Sequence, residues 1–283
     1  MVAFTYLSNH AALAVELISP HQHESHFVFD ICYHNTTDIR PSVITGDMHS
    51  INRANFAILH WFGIQLAPRF PSLSAQLSHL FCGGDLAEYE NFLIVPAGVI
   101  DRQLIESEAP NMERIVATLG LKDMTQAALI RKLCTMPATN RTRRAIFEFD
   151  KLIRSIYTLR YLLNQKLQRD VHRSQNRVEA YHSLRATLSQ VSGKKELIGR
   201  TDLDVATANE CGRLLANIVV AFNSILLSNL VVRYEASGNS KILERFKRMS
   251  PVAWQHIHFL GHYKFKERHP IDLEALLERV EMV

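Results

Sequence analysis

The sequence of 283 residues is poor in cysteine, and none of its cysteines forms a CxxC pair. The four cysteines are widely separated, at Cys32, Cys82, Cys134 and Cys211. A zinc knuckle needs closely paired cysteines, so this spacing argues against one and is typical of reduced thiols in the cytoplasm. Residues 1–18 lack a basic start followed by a clean apolar core, so no secretory signal peptide is expected.

Long uncharged runs are also scarce. The one candidate for a transmembrane helix is residues 214–232, which carry no charged side chain. Five polar side chains interrupt this run: Asn217, Asn223, Ser224, Ser228 and Asn229. We therefore expect a buried core helix there and no membrane partner.

Net charge is small, +4, but its distribution is uneven. Residues 131–177 contain twelve Lys and Arg against three acids, so this basic belt carries +9 and the rest of the chain −5. A belt of this size can hold phosphates of a nucleic acid. The alternative is an ordinary set of solvated helix faces.

The segment around Asp47 predicts a strand, a helix and a second strand in close succession. A β-branched strand over residues 43–45 is followed at once by the acid Asp47. Ser50 or Asn52 can cap the next helix, and Gly63 ends it just before another apolar run. In an open α/β sheet an acid at the carboxyl end of a strand faces the ligand crevice, which makes Asp47 a candidate site residue.

Periodicity assigns most of the remaining chain to helices. Two strands and a short helix are predicted first, over residues 1–6, 12–18 and 24–33. Helices are then predicted over residues 111–119, 125–134 and 143–168, after an exposed acidic segment over residues 85–113. Thr201 and Asp204 form a capping-box pattern for a long helix that reaches about residue 232. Shorter helices follow over residues 240–249, 251–261 and 272–280.

A second informative block lies within residues 174–190. Asn176, Glu179 and His182 recur every three residues, so a helix would place all three on one face. Arg173 and Arg177 flank this acid. The pattern makes Glu179 a second candidate acid.

Two sequence blocks together carry a family resemblance. The stretch NTTDIRPSVITGDMHSINRANFAILHWFGIQLAPRF and the downstream NRVEAYHSLR resemble the second-aspartate and third-acid regions of the Tn3 family of replicative transposases. The resemblance implies a DDE catalytic domain in which Asp47 and Glu179 are the second and third acids. The family's first catalytic aspartate lies in an Asp-Gly motif, and no Asp-Gly dipeptide occurs in this sequence.

The fold implied by the resemblance is α/β, with a ribonuclease-H-like core whose first strand is missing. Residues 1–75 would form the sheet portion of this core, and residues 76–165 a large, mostly helical insertion. Residues 166–283 would supply the helix of the catalytic Glu179 and a helical C-terminal part packed on the core.

The implied activity is cleavage of DNA at transposon ends followed by strand transfer in replicative transposition. The implied cofactor is Mg²⁺, for which Mn²⁺ can substitute, with Asp47 and Glu179 as metal ligands, because hard carboxylate oxygens suit this ion. Terminal inverted repeats and target DNA would be the partners, and the intact transposase would be a homodimer. Candidate DNA contacts are His49, Arg173, Asn176, Arg177 and His182.

Two other hypotheses stay open. Because the first aspartate is missing, the chain could be a catalytically dead transposase fragment that only binds DNA or another protein. The second alternative is a zinc hydrolase built on the cluster His21, His23, Glu24 and His26. The HQHESH spacing does not match the HExxH helix pattern, which favours a location at the rim of the active crevice with contacts to the DNA backbone.

Overall fold

The computed structural model describes residues 2–190, 199–259, 261 and 271–281. It is a mixed α/β fold, about 60% helical, with few and short strands. The chain divides into two compact units. The first unit comprises residues 1–6 and 16–175, and the second unit comprises residues 7–15 and 176–283.

The chain begins with two paired strands, β1 (Val2–Ser8) and β2 (Ala11–Ile18), as the sequence predicts. Asn9 lies in the turn between them with φ at 58°, in the left-handed region that asparagine tolerates better than most residues. The predicted helix over residues 24–33 forms as two pieces, a 3-10 turn at Glu24–His26 and α1 (Val28–Tyr33).

The predicted strand–helix–strand unit is confirmed. Strand β3 (Val43–Ile44) leads through a 3-10 turn, Met48–Ser50, to α2 (Asn55–Trp61) and then to β4 (Gln65–Leu66). β3 and β4 pair in parallel. Gly63 follows α2 with φ at +70°, a conformation that ends the helix and that glycine adopts without strain.

The rest of the first unit is mainly helical. Its elements in chain order are α3 (Leu73–Leu77), β5 (Phe81–Cys82), β6 (Gly98–Val99), α4 (Arg102–Gly120), α5 (Gln126–Thr135) and α6 (Arg141–Leu163). β5 and β6 also pair in parallel. The strands of the described residues thus form three separate two-stranded sheets, and a continuous ribonuclease-H-like sheet stays a prediction.

Two helix boundaries differ from the sequence-based expectation. α4 starts at Arg102 and contains Pro110, whereas the sequence predicts a helix only over residues 111–119. The side chain of Asp101 caps the earlier start by accepting the N–H of Leu104 at 2.9 Å, and packing of buried Leu104 and Met112 retains the helix through the proline. The end of the acidic segment that the sequence predicts over residues 85–113 is therefore helical.

The predicted helix over residues 143–168 is in fact interrupted at Asn164. This residue ends α6 in an extended conformation. Its Oδ1 then accepts the N–H of Leu167 at 3.0 Å, which starts α7 (Gln165–Gln190). Asn164 thus serves both helices, because its backbone N–H donates to the carbonyl of Arg160 in α6 and its side chain caps α7.

The core of the first unit is centred on α2, which packs against α6. Phe56, Ile58 and Leu59 are at most 1% exposed. The Trp61 ring stacks on Phe149 of α6, with ring centroids 5.8 Å apart. Burial of each large apolar side chain contributes about 1.5–3 kcal/mol, so the packing of α2 stabilises this unit.

In the second unit the final elements are α8 (Asp202–Ala236), α9 (Ser240–Phe246) and α10 (Leu273–Glu281). The capping box of Thr201 and Asp204 forms as predicted at the start of α8. Residues 251–259 form turns, which corrects the helix expected over residues 251–261. Within this unit Tyr181 and Leu184 of α7 pack on α8 in one apolar cluster.

α8 is the one helix in the described part of the chain that is long and apolar enough to cross a membrane by composition. Core helices of soluble proteins can have the same length and composition. Only 22% of the most apolar 18-residue stretch of α8 is buried. The expected core helix is therefore buried on one side, at residues such as Ala216 and Val220, while Leu214, Ile218 and Ile225 are exposed.

The division into residues 1–75, 76–165 and 166–283 stays a prediction.

All four cysteines are free thiols, as expected, with Cys32 and Cys82 buried and the other two exposed.

Candidate active site

Asp47 lies in the first unit, just beyond the carboxyl end of β3. It is the N-cap of the 3-10 turn Met48–Ser50, and its Oδ1 accepts the backbone N–H of His49 at 2.9 Å. The Ser50 hydroxyl donates to the carbonyl oxygen of Asp47 at 2.6 Å. Among the described residues no hydrogen bond or ion pair involves Oδ2 of Asp47, so one oxygen of this carboxylate is available to a ligand.

The helix that follows this turn has its N-terminus held by two side chains. Oδ1 of Asn52 accepts the N–H groups of Ala54 and Asn55, at 2.8 and 2.9 Å. Oδ1 of Asp150, on α6, accepts the N–H of Ala57 at 3.1 Å. Asp150 is buried, and its burial raises the pKa of the carboxyl to about 7, against the lowering effect of the hydrogen bond from Ala57.

A buried amide network fixes the turn that carries Asp47. Nδ2 of Asn55 donates to the carbonyl oxygens of Ser50 and Ser25, at 2.7 and 2.8 Å. Nε2 of Gln126, at the start of α5, donates to the same Ser25 carbonyl at 3.0 Å and also to Oδ1 of Asn55. Since Asn55 and Gln126 are fully buried, this network holds the Asp47 turn against the histidine-rich segment.

The histidine-rich segment therefore lies beside Asp47. The ring of His23 is 6.1 Å from that of His49 and 6.0 Å from that of His26, measured between centroids. In the described residues no three His, Cys, Asp or Glu side chains are arranged to hold a metal ion, so the segment gives no support to a zinc hydrolase. The location at the rim of a crevice stays a prediction.

Glu179 lies in the second unit, on the exposed face of α7. Asn176 and His182 are exposed on the same helix, which confirms the predicted common face. Tyr181 and Leu184 are fully buried, which fixes the rotation of α7. Because Tyr181 and Leu184 pack on the buried side of α7, Glu179 faces solvent.

The two arginines that flank Glu179 have different surroundings. Arg173 is exposed and has no ion pair within the described residues. Arg177 is half-buried, and its guanidinium donates to Oδ1 of Asn9 at 3.4 Å. Burial, and then the charge of Arg177, lower the pKa of His10 in the same turn. Arg177 therefore also has a structural role, because its guanidinium contacts the turn between β1 and β2.

Several cations of the basic belt have partners inside the protein. Arg141 pairs with Glu108 at 3.0 Å, and Lys151 pairs with Glu148 at 2.6 Å. Arg154 donates to Oε1 of Gln76 at 2.7 Å. The exposed cations without an ion pair among the described residues are Arg131, Lys132, Arg160, Lys166, Arg169 and Arg173. Fewer cations of the belt are therefore available to phosphates than the twelve that the sequence contains.

Sequence reasoning missed Asp150 and Gln126, the two distant side chains that position the Asp47 turn. A local signal existed for Asp150, because this acid lies on the apolar stripe of α6, between Ile146 and Ile153. An acid on a buried stripe requires a hydrogen-bonding partner. Its partner lies 93 residues away in sequence, and no local pattern identifies it.

Comparison with known proteins shows the family of this chain. A family model described as Tn3 transposase DDE domain matches residues 1–263. The transposase of transposon Tn1546 from Enterococcus faecium is 24% identical over 262 residues, which are 92% of this chain and 26% of that protein. The transposase of transposon Tn501 from Pseudomonas aeruginosa is 22% identical over 266 residues, with 93% and 26% covered.

The chain thus spans about a quarter of the length of these curated relatives. No solved structure gives a significant match. The match of the family model covers nearly the whole chain, from residue 1 to residue 263. The chain therefore belongs to the Tn3 family of transposases.

Proposed function

We propose that this chain is the catalytic part of a DDE transposase that cuts DNA at transposon ends and joins them to target DNA in replicative transposition. The observation that carries this proposal is Asp47, whose carboxylate follows a parallel strand and keeps one oxygen open. Family membership supports the assignment of this acid. The proposal includes a ribonuclease-H-like core built around the parallel pair β3–β4.

Asp47 and Glu179 are the proposed ligands of Mg²⁺, or of Mn²⁺ in its place. Both are carboxylates, the ligand type that these hard cations prefer, and both are accessible to solvent in their own units. When bound, such an ion lowers the pKa of an attacking water or hydroxyl and stabilises the leaving oxygen. The N–H of His49 orients Asp47 for this role, and Asn52 and Asp150 hold the helix behind it.

DNA is the proposed partner, as terminal inverted repeats and as target. The exposed cations of the basic belt provide the electrostatic surface, so binding by this chain is directed mainly to the DNA backbone and weakens with salt. His49, Arg173, Asn176, Arg177 and His182 remain the proposed contacts. A homodimer of the intact transposase and a cytoplasmic location complete the proposal.

A second candidate function is binding without cleavage. The sequence contains no Asp-Gly dipeptide, and this is the motif that carries the first catalytic aspartate in the family. A complete site of this kind uses three acids, and Asp47 and Glu179 supply two. The two candidates differ in one measurable property, the appearance of nicked DNA.

The test is incubation of the full chain with supercoiled plasmid and Mn²⁺ or Mg²⁺. Cleavage by the unmodified chain that disappears in both Asp47→Asn and Glu179→Gln, with DNA binding retained, supports the catalytic proposal. Binding without any nicking supports the second candidate. Nicking that persists in both variants would contradict the assignment of these two acids.

A further inference from the structure

We propose that His23 and His49 together bind one phosphate of the DNA backbone beside Asp47. This rests on the proposed function, because it assumes that the chain acts on DNA. It adds His23 as a contact residue and narrows the DNA-backbone contacts expected of the histidine-rich segment to one phosphate.

The backbone segments that carry the two histidines are held together by buried polar groups. The Ser25 carbonyl accepts hydrogen bonds from the side-chain amides of Asn52, Asn55 and Gln126, at 3.1, 2.8 and 3.0 Å. Asn55 also donates to Ser50, in the turn of His49. The network therefore holds together the two backbone segments that carry these rings, and ligand binding does not need to order them.

The hydrogen bonds of His23 define which ring nitrogen is available. Its Nδ1 accepts the backbone N–H of Ser25 at 3.3 Å and lies 2.8 Å from the Ser25 hydroxyl. A nitrogen that accepts a backbone N–H carries no proton, so in the neutral ring the proton is on Nε2. In the described residues no group bonds to this Nε2–H or to the ring of His49, and both rings are exposed.

These donors fit a phosphate better than a metal ion. The described residues contain no group of three side chains arranged for a metal. Two hydrogen bonds of about 2.9 Å to the two non-bridging oxygens of one phosphate span a distance comparable with the ring separation of 6.1 Å. Arg131 is close enough to affect His26, whose pKa is lowered by burial, His23 and Arg131 in that order. Arg131 therefore adds positive charge near His26 in the same segment, which favours an anion there.

Two substitutions of His23 separate the phosphate contact from the structural role of the residue. Asparagine reaches the position of Nδ1 and is a good N-cap, so His23→Asn retains the bond to Ser25 and removes the Nε2 donor. Glutamine reaches the position of Nε2, so His23→Gln retains a donor there and removes the cap. The matched control is His21→Gln, an exposed histidine of the same segment.

The experiment is a titration of the full chain and its variants with a duplex oligonucleotide at about pH 8, with Mg²⁺ present and with thermal unfolding measured in parallel. We expect His23→Asn to bind about five-fold more weakly at unchanged unfolding temperature, and His23→Gln to bind within about two-fold of the unmodified chain.

A double variant tests whether both rings bind the same phosphate. If they do, His23→Asn combined with His49→Ala loses less affinity than the product of the two single losses. Unchanged DNA binding by His23→Asn, or an equal loss of DNA affinity in His21→Gln, would overturn this inference and leave the proposed function standing. Failure of the unmodified chain to bind duplex DNA would instead overturn the proposed function together with it.

Discussion

Asp150 and Ala57 form a hydrogen bond of 3.1 Å that joins α6 to the first turn of α2. The helix N-cap itself, Ala54, has no side chain that could accept a backbone N–H. A carboxylate from another helix thus completes the capping that Asn52 provides from a neighbouring position in sequence. Because α2 follows directly on the Asp47 turn, this bond connects the stability of the core to the geometry of the candidate site.

Removal of the acceptor should destabilise the protein. Asp150→Ala leaves the N–H of Ala57 buried without a partner, so we expect the free energy of unfolding to fall by about 2 kcal/mol. Asp150→Asn keeps an oxygen acceptor and should lose much less at neutral pH. Urea unfolding followed by circular dichroism measures both, with Asp170→Ala, an exposed acid of α7, as the control. Equal losses in the alanine and asparagine variants would contradict the capping role.

The same acid should make stability depend on pH. Its pKa is about 7 in the folded protein against 3.8 as the ordinary value, so the folded state binds the proton more strongly. The stabilising contribution of Asp150 is therefore fully present below about pH 4 and is lost as pH rises through 7. Thermal unfolding from pH 4 to 8 should show this fall in the unmodified chain and a flatter curve in Asp150→Asn. Parallel curves would show that the carboxyl of Asp150 does not titrate in this range.

The amide network around Ser25 predicts a large effect from a small change. Asn55→Asp replaces the donor that faces the carbonyl oxygens of Ser25 and Ser50 by a charged acceptor. Because the position is fully buried, we expect a loss of about 3 kcal/mol or more. Asn52→Asp is the matched control, since its carboxylate still accepts the N–H groups at the start of α2 and only one donor bond is lost. Chemical denaturation of the two variants would reveal the difference, and equal losses would argue against the network.

The basic belt predicts which cations contact DNA. Replacing Lys166 or Arg169 by alanine should reduce the slope of log affinity against log salt by about 0.9 each, because one counterion fewer is released. Arg141→Ala should leave the slope nearly unchanged, since this arginine is paired with Glu108. Fluorescence titrations with duplex DNA at several salt concentrations test this, and an equal change in all three variants would show that internal pairing does not select the contacts.

Local patterns in the sequence determined much of this protein. The strand–helix–strand unit around Asp47, the end of α2 at Gly63 and the capping box of Thr201 and Asp204 all form as predicted. The common face of Glu179 and its neighbours also forms. Each depends on residues within a few positions of one another, where helical or strand geometry and the preferences of single side chains dominate.

The interactions that position the Asp47 turn were decided by the tertiary structure. Asp150 bonds to a residue 93 positions away, and Gln126 to a carbonyl 101 positions away. Packing likewise carries α4 through Pro110, against the tendency of proline to break a helix. The sequence by itself thus determined the candidate acids and the elements that bear them. Only folding brought together the buried polar groups that hold Asp47, because a hydrogen bond between distant residues depends on chain topology and not on local periodicity.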